Sequence, residues 1–337
     1  MVQLRILSCN PDGGAYHHIL NGIADAFRAL GHQFQRWNGT DNALRQYQPH
    51  IYLGCSGWRQ VFPKWARDQY GTKIMIHANP YGSIRLKAMP GEPDINEPQE
   101  AINWVISQNP DAIYCYGNGH DISTMWNKWT DNHGIPVIPL PTGGNAVLHK
   151  PVLPDLAFKC DVGFVGGYWP YKAMNIDKYV LPAINKFDAK VFGWGGWRHP
   201  KYKGVITDEN INKLFSSARV CPTVVEPHTT RYGIDIPERI WKIPLGGGFV
   251  VCDPCAGLTN YVDPAVFPIA RDPANYIELI DHYLKHESER TLLANKQRKA
   301  ILANHTYFTR IQGILIRAGY HEEATAAQKM VETISLI

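Results

Sequence analysis

The chain alternates between two kinds of segment, and that alternation constrains its fold more than any other feature. Short apolar runs with strand character lead into a glycine or polar turn, then into a segment with apolar residues at helical spacing, and the cycle restarts. Leu4 to Cys9 reads as a strand, Pro11 to Gly14 as a glycine turn, Ile19 to His32 as an amphipathic helix with Gly31 as its C-cap, and Gln33 to Trp37 as a second strand. Strand, turn, helix, strand opens a parallel βαβ unit, because parallel strands need a crossover where antiparallel ones need only a hairpin. Further strands are expected at 50–55, 73–78, 112–117 and 136–140, with a helix within 97–108. A second series follows, with strands near 161–166, 189–193, 203–206, 219–224, 248–252 and 266–269. Its helices fall near 174–186, 209–217, 236–244, 273–285 and 288–303. Pro139 to Leu156, rich in proline and glycine, divides the two. A length of 337 residues suits two such α/β domains, at 1–145 and 155–318.

Composition narrows the class. The chain is 45% hydrophobic and 19% charged, which is globular, and no apolar run approaches the ~20 residues that span a bilayer. The start MVQLRILSCN lacks the layout of a secretion signal, so a cytoplasmic protein without membrane insertion is expected, in the host's cytoplasm if the gene is a phage's. Seven cysteines without framework spacing argue against a disulfide scaffold, and Cys252-Asp-Pro-Cys255 has no second pair to complete a zinc site. A formal charge of +4 is mildly basic, which favours an anionic ligand without requiring nucleic acid.

The segment Arg231 to Pro254, RYGIDIPERIWKIPLGGGFVVCDP, carries the strongest chemistry. Arg239 and Lys242 are three residues apart and share a face if helical, and Gly246 to Gly248 let backbone N–H groups approach a ligand. Cations and free N–H dipoles together suit a diphosphate. This segment resembles the C-terminal domain of the CgeB-like, group-1-type glycosyltransferases, in which an Arg-x-Phe-(Glu or Lys) helix precedes Gly-Gly-Phe and a buried strand. Cys160-DVGFVGGYWP, Lys190-VFGWGGWR and Asn304-HTYFTRIQGIL match further pieces in order, over about 159–316. The resemblance implies the GT-B architecture, two Rossmann-like domains facing each other across a cleft, with a last helix at 319–337 crossing back to the first domain. It further implies transfer of a sugar from a nucleotide-diphosphate donor to an acceptor hydroxyl. Catalysis would be metal-independent, without any cofactor beyond the nucleotide-sugar co-substrate.

For the donor, the expected residues are Arg231, Arg239 and Lys242 on the diphosphate, with backbone at Gly13, Gly14, Gly166, Gly167, Gly247 and Gly248. Trp194 and Arg198 are expected at the nucleobase and Glu238 or Asp253 at the ribose. Trp197 and Arg198 are expected to be exposed, with core packing the rival reading for Trp194. Lys242 stands where many members of the resembled family carry Glu. Asp12, His17 and His18 are candidates for the base, and His77 and Asn79 for the acceptor side. The acceptor is read as a hydroxymethylated base in DNA or as a polysaccharide or coat glycan. Arg59, Lys64, Arg67, Lys73, Arg85 and Lys87 could serve the former. Two rivals stand beside this: a nucleotide-sugar-binding protein that has lost turnover, and a dinucleotide oxidoreductase, which lacks its full Gly-x-Gly-x-x-Gly.

Overall fold

Two sheets, both wholly parallel, organise the computed structural model, which describes residues 2–11, 13–78, 96–116, 129–234 and 236–336. The first has strands β1 (Arg5–Ser8), β2 (Gln33–Arg36), β3 (Ile51–Cys55), β4 (Lys73–His77), β5 (Ala112–Cys115) and β6 (Val137–Pro139) in the order β2-β1-β3-β4-β5-β6. The second has β7 (Cys160–Val165), β8 (Ala189–Phe192), β9 (Ala218–Pro222) and β10 (Val250–Val251) in the order β10-β9-β7-β8. The central strands β3 and β5 are buried along their whole length, the pattern of a parallel sheet covered on both faces. Segments 203–206 and 266–269, expected as strands, contribute no named strand; single bridges at Val191–Tyr202 and Cys252–Ile269 are what form nearby.

Local sequence explains where the helices begin. Thr207 caps Asp208–Ser217 by accepting from the Asn210 N–H, with Asp208 and Glu209 in the first turn. Asp272 caps Pro273–Lys285 from the Asn275 N–H at 2.8 Å, with proline in the first turn where no N–H is needed. The first helix runs Gly14–Ala29 and so begins five residues ahead of the expected Ile19.

The chain divides into unit 1, Met1–Gly143 with Tyr307–Ile337, and unit 2, Gly144–Thr306. The sequence placed the end of the second domain at 318 and gave only 319–337 to the first. Helix Tyr307–Ala318 instead belongs to unit 1 along with His321–Ser335. The reason is packing: Gly22 leaves room for the ring of Tyr307, and Arg310 donates to the Thr142 carbonyl through Nε (3.3 Å) and Nη2 (3.2 Å). The motif His305 to Arg310 is therefore divided between the units, with His305 stacked on Trp241 at 4.8 Å within unit 2.

Candidate functional site

Because β7, β8, β9 and β10 run parallel, the segments after them emerge on one edge of the second sheet, where open α/β sheets take ligands. Two glycine turns meet there. The Gly166 N–H donates to Phe192 O (2.8 Å), Tyr168 N–H to Trp194 O (2.9 Å) and Gly196 N–H to Tyr168 O (3.0 Å). Gly193 has φ 140, and a Cβ on it would lie 2.1 Å from the Gly166 carbonyl oxygen. Trp197 is buried, donating its Nε1–H to that same carbonyl at 2.8 Å. Trp194 is 56% exposed and lies parallel to Trp169, ring centroids 4.9 Å apart. The expected exposure of Trp197 is thus corrected, since its indole N–H finds its partner inside the turn, while Trp194 is exposed and the rival reading of core packing does not hold for it. Arg198 is exposed, as expected.

Beneath these turns lies a cluster of buried and half-buried charge. Arg239 opens helix Arg239–Leu245, donates Nη1–H to Val224 O at 3.0 Å and covers the Phe164 ring at 5.5 Å. Its Nε is buried without a hydrogen-bond partner. Lys172, in helix Pro170–Asn175, is buried with Nζ 3.1 Å from Glu226 Oε1 and 4.9 Å from the centre of the Trp169 ring. Asp253, just past β10, is fully buried; Oδ2 accepts the Val225 N–H at 3.0 Å and Oδ1 has no partner. Burial pushes Asp253 up to about 7. Burial, with Arg239 adding repulsion, brings Lys172 down to about 8, against the pull of Glu226 and Asp253. Burial also lowers Arg239. Near neutral pH the cluster thus holds two cations against Glu226 and a carboxyl close to its own midpoint, a surplus of positive charge in a desolvated place.

The other donor-side residues divide. Lys242 is half-buried one turn further along the same helix, its pKa lowered by burial and by Arg239 and raised by Glu238 and Asp208. Glu238 adjoins that helix, its carbonyl accepting the Lys242 N–H at 2.8 Å. Arg231, in helix Pro227–Tyr232, is half-buried with its guanidinium over Tyr232 at 5.3 Å. Gly247 and Gly248 are corrected. They precede β10, on the opposite edge of the sheet, and pack against Pro151, Ser216, Ile243 and Phe215. Their smallness serves close packing of the helix-to-strand turn. Lys172, Glu226 and Trp169 were not singled out from the sequence. A lysine six residues after Gly166, in the helix that follows the first strand of the unit, was the available signal for Lys172.

In unit 1, Gly13 and Gly14 follow β1 and open helix Gly14–Ala29, whose first turn carries His17 and His18 with rings 5.8 Å apart. Nδ1 of His17 is buried without a partner. His77 ends β4, stacked on Tyr116 at 4.1 Å with its Nδ1 3.7 Å from Cys55 Sγ. All lie at the carboxyl edge of the first sheet. Asp12, Asn79, Arg85 and Lys87 lie outside the described residues. Arg59 pairs with Glu100 and Lys64 with Asp68, while Arg67 and Lys73 both pair with Asp111. Among the described residues no group of three or more His, Cys, Asp or Glu side chains could hold a metal ion, and no helix is long and apolar enough to cross a membrane. Burial raises the thiols of Cys252, to about 12, and of Cys255, the opposite of a redox-active pair.

Residues 177–316 match a protein family described as glycosyl transferase-like. No curated protein matches the chain in sequence. Among solved structures, sucrose-phosphate synthase from Thermosynechococcus elongatus is similar with a TM-score of 0.63 at 12% identity, over 95% of this chain and 99% of that one. Anabaena Alr3699/HepE in complex with UDP and glucose is similar at TM-score 0.58 and 12% identity, over 99% of this chain and 100% of that one. A T4 phage BGT mutant in complex with UDP-glucose gives 0.56 and 14%, over 98% of this chain and 100% of that one. The fold is the α/β GT-B fold, with a glycosyltransferase-like match over most of unit 2.

Proposed function

We propose that the protein is a glycosyltransferase that binds a nucleotide-diphosphate sugar at the carboxyl edge of the second sheet and passes the sugar to an acceptor hydroxyl. One observation carries the donor side: two cations, buried Lys172 and half-buried Arg239, under paired glycine turns, incompletely neutralised by Glu226 and Asp253. As the bond from the anomeric carbon to the diphosphate breaks, charge grows on the departing oxygen, and preorganised cations stabilise that charge without reorganising. Trp194, exposed beside Trp169, offers a face for the nucleobase. The bond to the acceptor oxygen then forms, and its proton passes to a base, for which His17 and His18 are the candidates among the described residues. UDP is the first nucleotide to test, because similar structures carry UDP or UDP-glucose.

Calorimetric titration with UDP and UDP-glucose tests this. Arg239→Lys is the informative variant; Arg239→Ala would also leave Glu226 and Asp253 with less buried compensation, so a loss of stability is expected there. Loss of charge-assisted contacts worth ~1.5–3 kcal/mol predicts about 10- to 100-fold weaker UDP binding. Unchanged affinity in a folded variant would remove the diphosphate assignment. The second reading, a binding protein without turnover, is favoured by Lys242 standing where many members of the resembled family have Glu. It is supported if UDP-glucose binds but is neither transferred nor slowly hydrolysed.

A further inference from the structure

Trp58 is presented at the carboxyl edge of the first sheet by a tightly specified turn. Its N–H and that of Arg59 both donate to the Cys55 carbonyl, at 3.2 and 3.0 Å. Arg59 has φ 44, in the left-handed region that non-glycine residues rarely enter, and is fixed by Ser56 O at 3.2 Å and Glu100 at 3.0 Å. Such backbone persists where its surroundings over-determine it. The indole is 39% exposed and stacked on Tyr16, centroids 5.1 Å apart and planes 18° from parallel. Tyr16 is anchored by a 2.7 Å hydrogen bond between its hydroxyl and that of Tyr114, and its ring lies 5.2 Å from His77. Tyr116, under His77, has a buried hydroxyl with no partner. The exposed indole is thereby held against Tyr16, which precedes His17 on helix Gly14–Ala29.

We propose that Trp58 is the stacking platform of an acceptor subsite, and that the acceptor is a neutral carbohydrate whose ring lies on the indole. This rests on the glycosyltransferase reading above. A nucleobase would also stack on an indole, so stacking alone does not choose between the two. Charge does. Binding to DNA is dominated by cations that neutralise phosphates, and of the basic residues named above for that role the four described ones, Arg59, Lys64, Arg67 and Lys73, each pair with a carboxylate. Among the described residues the indole lies on the Tyr16 ring, which in turn contacts His77 and Tyr116, an aromatic and imidazole surface that suits hydroxyl groups and apolar ring faces.

The experiment follows transfer from the nucleotide sugar identified by titration to maltotriose, cellotriose or chitotriose, beside a DNA duplex carrying 5-hydroxymethylcytosine. Wild type, Trp58→Phe and Trp58→Ala are compared. Transfer to at least one oligosaccharide is expected, with Trp58→Ala raising the acceptor KM about tenfold and kcat changing less. Trp58→Phe should recover most of the loss, and the UDP dissociation constant should not move. An unchanged KM in Trp58→Ala, transfer to the duplex alone, or no saccharide transfer by wild type that binds UDP would each overturn the proposal. Failure of wild type to bind UDP sinks the donor reading instead; saturation-transfer NMR of the oligosaccharides, with and without Trp58, then decides the subsite separately.

Discussion

At the residue scale, the cluster of unit 2 makes two pH-dependent predictions, in different pH windows and on different quantities. Lys172 sits near pKa 8 where a free lysine is near 10.5, so it is charged below pH 8 and increasingly neutral above. An anionic ligand needs the proton, and UDP affinity is therefore expected to fall as pH rises above 8, by at most tenfold per unit. Lys172→Arg, whose guanidinium stays protonated, should flatten that profile in a calorimetric series; an identical slope in both proteins would show that Lys172 does not face the ligand. Asp253, raised from 3.8 to about 7, holds its proton in the folded chain across a window where the unfolded chain has lost it. Folded protein then binds more protons than unfolded, and stability contributed by this group falls as pH rises from about 4 to 7. Asp253→Asn should lose that slope in urea unfolding measured at several pH values. Lys172, Glu226 and Asp253 share one cluster although 54 and 27 positions separate them in turn, which is why sequence spacing did not unite them.

At the scale of elements, close approach decides where the helices dock. A Cβ on Gly22 would lie 2.1 Å from Cε2 of Tyr307, whose ring is buried, so helix Gly14–Ala29 meets helix Tyr307–Ala318 through a position where only hydrogen fits. Gly22→Ala is expected to destabilise unit 1 by ~1–3 kcal/mol through overpacking, read by urea unfolding. If stability is unchanged, the two helices do not dock as described. The glycines at 246–248 teach the same lesson from the other side. Their composition matches a phosphate-binding turn, yet strand direction puts them at the amino end of β10, where Phe215 and Pro151 require the space.

At the scale of the whole molecule, hydrogen exchange offers the broadest test. UDP is expected to slow exchange at 166–172, 193–197 and 223–228, the turns beyond β7, β8 and β9, and to leave 246–248 unaffected. Protection centred on the triple glycine would reverse the assignment of edges. The α/β class, the two parallel series and most strand positions were legible in the sequence, because alternation of apolar runs and helical periodicity is a local property that survives without neighbours. Arg239 was legible for the same reason, being embedded in a patterned helix start. The sequence by itself also determined the chemistry on offer: a basic helix, glycine turns and imidazoles on a first helical turn. Only the tertiary structure decided which of these lie together. It assigned 307–318 to unit 1, buried Trp197 inside the glycine turn, and gathered Lys172, Glu226, Asp253 and Arg239 at one edge. Edge and burial depend on strand direction and on long-range packing, and no local pattern encodes either of them.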